Sequence, residues 1–200
     1  MKMKSIFAKG LSSFIIFTIL CGVLYTGSIT CISQILFPSE ANGSIIEVDG
    51  KKYGSQLIAQ QYTDEKHMWG RIMNLDTETF TDKDGNKVVY STPSNLSPAS
   101  DEYKQLVAQR VDKIKSSHEY NKDESIPVDL VTCSGSGLDP EISLAAAKYQ
   151  VKRLATNNNM TESEVENIID KCTNKPVLGI LGETTVNVLK VNLMIDKILL

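Results

Sequence analysis

Few residues in this chain combine the type and spacing that chemistry needs. The two histidines, His67 and His118, are far apart and have no Cys, Asp or Glu at ligand spacing, and no H-E-x-x-H pair occurs. Ser134-Gly135-Ser136-Gly137 follows an apolar run, Val128 to Thr132, and leads through Asp139-Pro140 into an apolar-periodic stretch from Ile142 to Ala155. Strand, glycine turn and helix in that order can form a phosphate nest. A phosphate loop needs Lys after its last Gly, however, and Leu138 stands there; the serines do not fit a G-x-S-x-G elbow either. The expectation is a strand-to-helix turn that uses permissive backbone angles. Asp82, Asp84 and Asn86 have the spacing that opens a calcium loop, but Lys87 stands where that loop requires Gly, so a hairpin turn is expected. Trp69, the only Trp, sits in Met68-Trp69-Gly70-Arg71 and is expected to be a core or interface anchor. No nucleophile, base and orienting group come together, so no catalytic residue and no metal ligand is assigned.

The elements around these residues mix strands and helices. Ser44 to Val48 reads as a strand entering a turn at Asp49-Gly50, and Asp84-Gly85-Asn86 marks a second hairpin within Thr79 to Tyr90. Ser55 to Tyr62 has short helical spacing. Asp101 to Ser117 repeats apolar residues at three and four, with Ser100 as N-cap. Val128 to Thr132 is expected as a strand, Ile142 to Ala155 as a helix, and Thr161 to Cys172 as a helix opened by a capping box. Val177 to Leu181 reads as a strand and Thr185 to Leu200 as a helix. The fold class expected is a compact α/β or α+β domain.

The averages of the chain (200 residues, net charge −3) hide a split. From Gly10 to Ser39 there is no charged residue. Lys2, Lys4 and Lys9 precede the gap; the other 18 basic residues and all 24 acidic residues follow it, so the part from Gly10 onward carries −6. Residues 1–10 are read as a basic cytoplasmic stub and 11–37 as one transmembrane helix, since about 20 apolar residues suffice to span. Residues 38–200 are read as one extracytoplasmic domain. The apolar run is too long for a cleaved signal peptide, and no A-x-A site follows it. Thr18, Gly22, Thr26 and Thr30 recur every four residues and line one ridge of this helix with small side chains, a docking face for another membrane helix. Cys21 and Cys31 lie in the span; Cys133 and Cys172 lie where a disulfide is permitted, but no spacing pairs them. The acidic balance argues against nucleic acid. An anchored extracellular enzyme or ligand-binding module is the alternative, lacking a clustered catalytic group.

Several segments together resemble one family. Ile126 to Thr132, Ser134 to Pro140, Ile142-Ser143, Ala145 to Ala147, Tyr149-Gln150 and Arg153 are similar to the C subunit of the Kdp-type potassium-transporting P-type ATPase. Trp69-Gly70-Arg71, Ser94-Asn95-Leu96, Leu178 to Glu183 and Val186 to Leu189 fit as well. The chain departs from the family pattern at Glu141, where His is usual, at Ile72, where Pro is usual, and at Cys172 to Pro176. The resemblance implies a non-catalytic accessory subunit of an ATP-driven potassium importer, needed for assembly. Its partners would be a channel-like potassium-translocating subunit, an ATP-hydrolysing subunit and a small single-span subunit. It implies no cofactor of its own, with ATP reached through the hydrolysing subunit in a proposed catalytic-chaperone role. Gln150 would then face nucleotide, with Ser134, Gly135, Ser136 and Gly137 as nucleotide-related residues. Trp69, Gly70, Arg71, Asp139, Pro140, Gly182 and Asn187 would serve as interface or structural residues. The charge asymmetry conflicts with the nucleotide role: it puts Gln150 outside, and a bilayer core about 30 Å thick separates it from cytoplasmic ATP.

Overall fold

The computed structural model describes residues 2–121 and 123–200. The chain divides into two compact units, Met1–Ile45 and Ile46–Leu200.

In the first unit, α1 (Lys2–Phe17) runs into π-helical turns over Thr18–Tyr25 and continues as α2 (Thr26–Leu36). Ser5–Leu36 is long and apolar enough to cross a membrane, and it is the one such helix among the described residues. The helix thus begins before the expected Leu11, within the basic stub. Phe37 leaves it with φ −136°, and Pro38 opens a single turn, α3 (Pro38–Ala41). The residue before Pro is disfavoured in the helical region, which makes this a natural exit.

The second unit owes its shape to short elements held by caps. β1 (Ile45–Val48) and β2 (Lys51–Ser55) pair across Asp49-Gly50, where φ is +52° and +75°, the two positive values that a tight two-residue hairpin turn requires. β3 (Leu75–Asp76) and β4 (Tyr90–Ser91) pair antiparallel, with the Asp82–Asn86 turn beyond them. That turn is the hairpin expected from the sequence. α4 spans Asp101–Ser117, and its N-cap is Ser100, whose hydroxyl accepts from the Tyr103 N–H. β5 (Glu141–Ser143) leads into α5 (Leu144–Tyr149), and the chain breaks at Gln150 before α6 (Val151–Asn158). α7 (Glu162–Lys171) begins with the Thr161/Glu164 capping box. β6 (Thr173–Asn174) and β7 (Thr185–Asn187) follow, then α8 (Val188–Ile195). β5, β7 and β6 form an antiparallel sheet in that order, with Ile142 opposite Val186. The core joins this sheet to α5–α8 through Ile142, Leu154, Val165, Ile169, Val186 and Val191.

Five expected elements differ. The helix expected over Ile142 to Ala155 begins as β5 and breaks at Gln150, and the helix expected over Thr185 to Leu200 begins as β7 and ends at Ile195. The other three are short segments. Val128–Leu130 is a 3₁₀ turn after Pro127, not a strand. Residues 56–62 form no helix. Residues 177–181 form a turn tip, with Val177 bridged to Leu181 and Leu178 86% exposed. Each is a short apolar run, where period alone cannot separate strand, helix and loop. The α+β form of the expected class describes the unit, because its paired strands are antiparallel.

Candidate functional site

The segment before Ile72 belongs to no strand, yet it is held as closely as one. Six consecutive carbonyls each accept a hydrogen bond from a side chain. Trp69 Nε1 donates to Asp64 O (2.7 Å), Arg153 Nη1 to Glu65 O (2.5 Å) and Asn158 Nδ2 to Lys66 O (2.7 Å). Arg153 Nη2 donates to His67 O (3.0 Å), Asn192 Nδ2 to Met68 O (3.0 Å) and Gln150 Nε2 to Trp69 O (3.0 Å). Two carboxamides also take the N–H groups: Met68 donates to Asn192 Oδ1 (2.6 Å) and Trp69 to Gln150 Oε1 (2.8 Å). Asn192 and Gln150 therefore each grip one residue at both backbone groups, as a neighbouring strand would. Buried backbone groups without partners cost free energy, and here Trp69 itself and side chains from α6, α8 and the α5–α6 break supply them.

Gln150 is 0% exposed. Beyond Trp69 it accepts from Arg153 Nη2 (2.8 Å) and donates to Ala146 O (3.2 Å). Two donated and two accepted bonds exhaust what a primary amide can make.

Arg153 is buried too, and its Nε donates to His118 Nε2 (3.0 Å) while His118 Nδ1 donates to Ile114 O (2.9 Å). These partners fix a neutral His118 with its proton on Nδ1. Burial first, and the Arg153 charge second, push the His118 pKa down to about 4. Burial also lowers Arg153 to about 10, against the opposing pull of Glu65 and Asp64. The Trp69 indole contacts two cations, with Arg153 at 4.6 Å and Lys113 at 5.1 Å from its ring centroid, and it meets His118 edge-on. His67 sits differently, with Nδ1 on Asp64 (2.8 Å) and Nε2 on Asp196 (3.1 Å). Burial opposes its charge, but hydrogen bonds to Asp64 and Asp196 outweigh this and raise its pKa.

Arg71 reaches Asp129 (3.3 Å) and Asp139 (3.7 Å), and Asp129 accepts from the Ser143 N–H (2.9 Å), so the Arg71 end of this segment, the strap 64–71, is tied to the start of α5. The Pro140 carbonyl accepts from Val188 N, and Asn187 caps α8 while its Nδ2 donates to Gln56 O. Glu141, where the resembled family has His, accepts from Asn174 and Thr185 and so links all three strands of the sheet. Gly182 lies apart, at the base of the 177–181 tip with φ +102°.

Ser134 to Gly137 is a closed turn. Gly137 N donates to Ser134 Oγ (3.0 Å) and Leu138 N to Ser136 Oγ (3.2 Å), so these two amides are spoken for. Gly137 has φ +72°, and a Cβ there would lie 2.6 Å from the Thr92 carbonyl oxygen, so the turn needs Gly to let the 74–92 segment approach. All four cysteines are free; Cys172 is buried beside Met194, and burial raises its pKa to about 11. Among the described residues no group of three His, Cys, Asp or Glu is placed to hold a metal.

The structure thus brings Trp69, Gly70, Arg71, Asp139, Pro140, Gln150 and Asn187 into one braced region, with Asn192, His118 and Asp129 unassigned from the sequence. The family described as K+-transporting ATPase, c chain (KdpC) matches residues 7–197. The chain belongs to this family. Curated relatives named "Potassium-transporting ATPase KdpC subunit" agree. One from Clostridium botulinum is 67% identical over 196 residues, covering 98% of each chain. One from Clostridium perfringens is 59% identical, covering 97% of this chain and 98% of its own, and one from Herpetosiphon aurantiacus is 40% identical, covering 98% of each. Membership makes this chain a potassium-transporting ATPase subunit, and its apolar N-terminal helix fits a membrane-anchored one.

Proposed function

We propose that this subunit is a non-catalytic assembly and stabilising element of the pump, anchored by Ser5–Leu36 with residues 38–200 on the extracytoplasmic side. Its partners in this reading are the channel-like potassium-translocating subunit, the ATP-hydrolysing subunit and a small single-span subunit. The observation that carries the reading is the saturation of Gln150. The residue that the family resemblance links to nucleotide is fully buried, and its amide has no hydrogen bond left to offer. The serine turn likewise commits the Gly137 and Leu138 amides to its own hydroxyls. The lysines at the start of the chain, on the positive-inside rule, support the orientation.

The test has two parts. Cells lacking this chain should yield no assembled pump, and the full-length chain in nanodiscs should show no saturable ATP binding by calorimetry. Saturable micromolar binding by the unaltered chain would overturn this reading in favour of a nucleotide role.

A further inference from the structure

One cleft on the second unit lies beside the strap and shares Trp69 with it. Trp69 forms its floor, Ile114 and Leu130 its apolar wall, and Tyr62, Arg110 and Lys113 its rim; it holds about 40 Å³. That is room for the end of one side chain and far too little for a nucleotide. Its charge is one-sided. Arg110 Nη1 donates to the Val131 carbonyl (3.0 Å), and Lys113 lies over the Trp69 ring, but neither joins an ion pair among the described residues.

The sequence of α4 explains why. Positions three and four away from Arg110 are Leu106, Val107, Lys113 and Ile114; those from Lys113 are Gln109, Arg110, Ser116 and Ser117. No carboxylate is within helical reach, whereas Lys104 on the same helix pairs with Asp101. Burial lowers the Arg110 pKa, and no Asp or Glu is among the groups acting on it. In a region carrying −6, Lys113 over the indole and Arg110 lining the same cleft, both left without a counter-charge, form a site for an anion from elsewhere.

On the footing that the chain works inside the pump complex, we propose that this cleft receives the carboxylate of an Asp or Glu side chain from a partner subunit. Arg110 and Lys113 hold the carboxylate from the rim, and Ile114 and Leu130 take the methylenes of its stem. The planar guanidinium fork suits a carboxylate bidentately. A free oxyanion such as phosphate shares the charge but would leave the apolar wall uncovered.

Carbodiimide coupling tests this, because it joins an amine only to a carboxylate in contact with it. The purified pump complex is treated, digested and mapped by mass spectrometry. Lys113 is expected to be linked to one Asp or Glu of another subunit, and Arg110→Gln, which keeps the Lys113 amine, should lower that yield at least tenfold. An unchanged Trp69 emission maximum in Arg110→Gln shows that the cleft is intact. A complex that forms with Lys113 unlinked overturns the inference and leaves the assembly role standing. A second arm titrates the isolated full-length chain with inorganic phosphate and with succinate, read by Trp69 fluorescence. Saturation by phosphate below a millimolar level, lost in Arg110→Gln, would make the cleft a free-anion site and overturn the partner contact.

Discussion

Gln150 carries one reading from the resemblance and another from the fold. The resemblance singles it out for nucleotide, within a stretch expected as one helix from Ile142 to Ala155. In the fold it is a backbone clamp, because the chain breaks there and turns its amide onto Trp69. Truncating it leaves the Trp69 N–H and carbonyl without partners in the core. Each unsatisfied buried group costs about 1–3 kcal/mol, so Gln150→Ala should lose roughly 3–5 kcal/mol in denaturant melts followed by Trp69 emission. A loss below about 1 kcal/mol would mean that the strap is not held this way. Asn192 was legible in principle: it is the single Asn in the apolar run from Val188 to Ile195, a polar residue at a core position that has to find a partner. Arg153 and His118 were not, since their contact joins α6 to the end of α4 across 35 residues.

At the scale of elements, periodicity read the long helices and missed the short pieces. α4 and α7 follow from their apolar spacing and from Ser100 and Thr161 as caps, both present. The strap could not be read at all, because segment 64–71 has no period and its partners are side chains scattered from Gln150 to Asn192. The chain's two histidines, His67 in the strap and His118 at the end of α4, give opposite pH dependences. His118 is depressed to about 4, so its contribution is full above the unfolded value near 6.5 and is lost as pH falls toward 4, on the order of 3 kcal/mol. His67 is raised, so its contribution is full below about 6.5 and is lost as pH rises through its folded value. Stability should therefore peak near pH 6–7. Melts across pH should show His67→Gln flattening the alkaline side and His118→Asn the acid side; a shared effect on one side would refute the assignment. Thr161→Ala should cost about 1 kcal/mol at every pH above the carboxylate range, since it removes only the α7 cap.

For the whole molecule, the charge gap alone announced the layout of one apolar helix and one domain, and the helix Ser5–Leu36 matches that reading in kind. What charge could not announce was the π-helical stretch within it. The small residues Thr18, Gly22 and Thr26 fall in or beside that stretch, where each turn holds more than four residues rather than 3.6. An i+4 row drifts one way in α-helix and the other way in π-helix, so the π turns counter the drift and keep Thr18, Gly22, Thr26 and Thr30 on a narrower stripe. Thr26 Oγ1 donates to Cys21 O (2.9 Å) and Thr30 Oγ1 to Thr26 O (2.8 Å), so both hydroxyls are spent on their own helix and the stripe offers close van der Waals contact. A Cβ built at Gly22 meets nothing within 4 Å, which leaves space there for a partner helix and means that a larger side chain does not disturb this chain itself. Gly22→Leu with Thr26→Leu should therefore leave membrane insertion unchanged while reducing co-purification of the other subunits at least fivefold. Normal recovery of the complex from the double variant would remove the stripe as the docking face. A tag after Leu200 reports the side of the membrane in the same cells: accessible in intact cells if residues 38–200 lie outside, protected if they lie with the nucleotide.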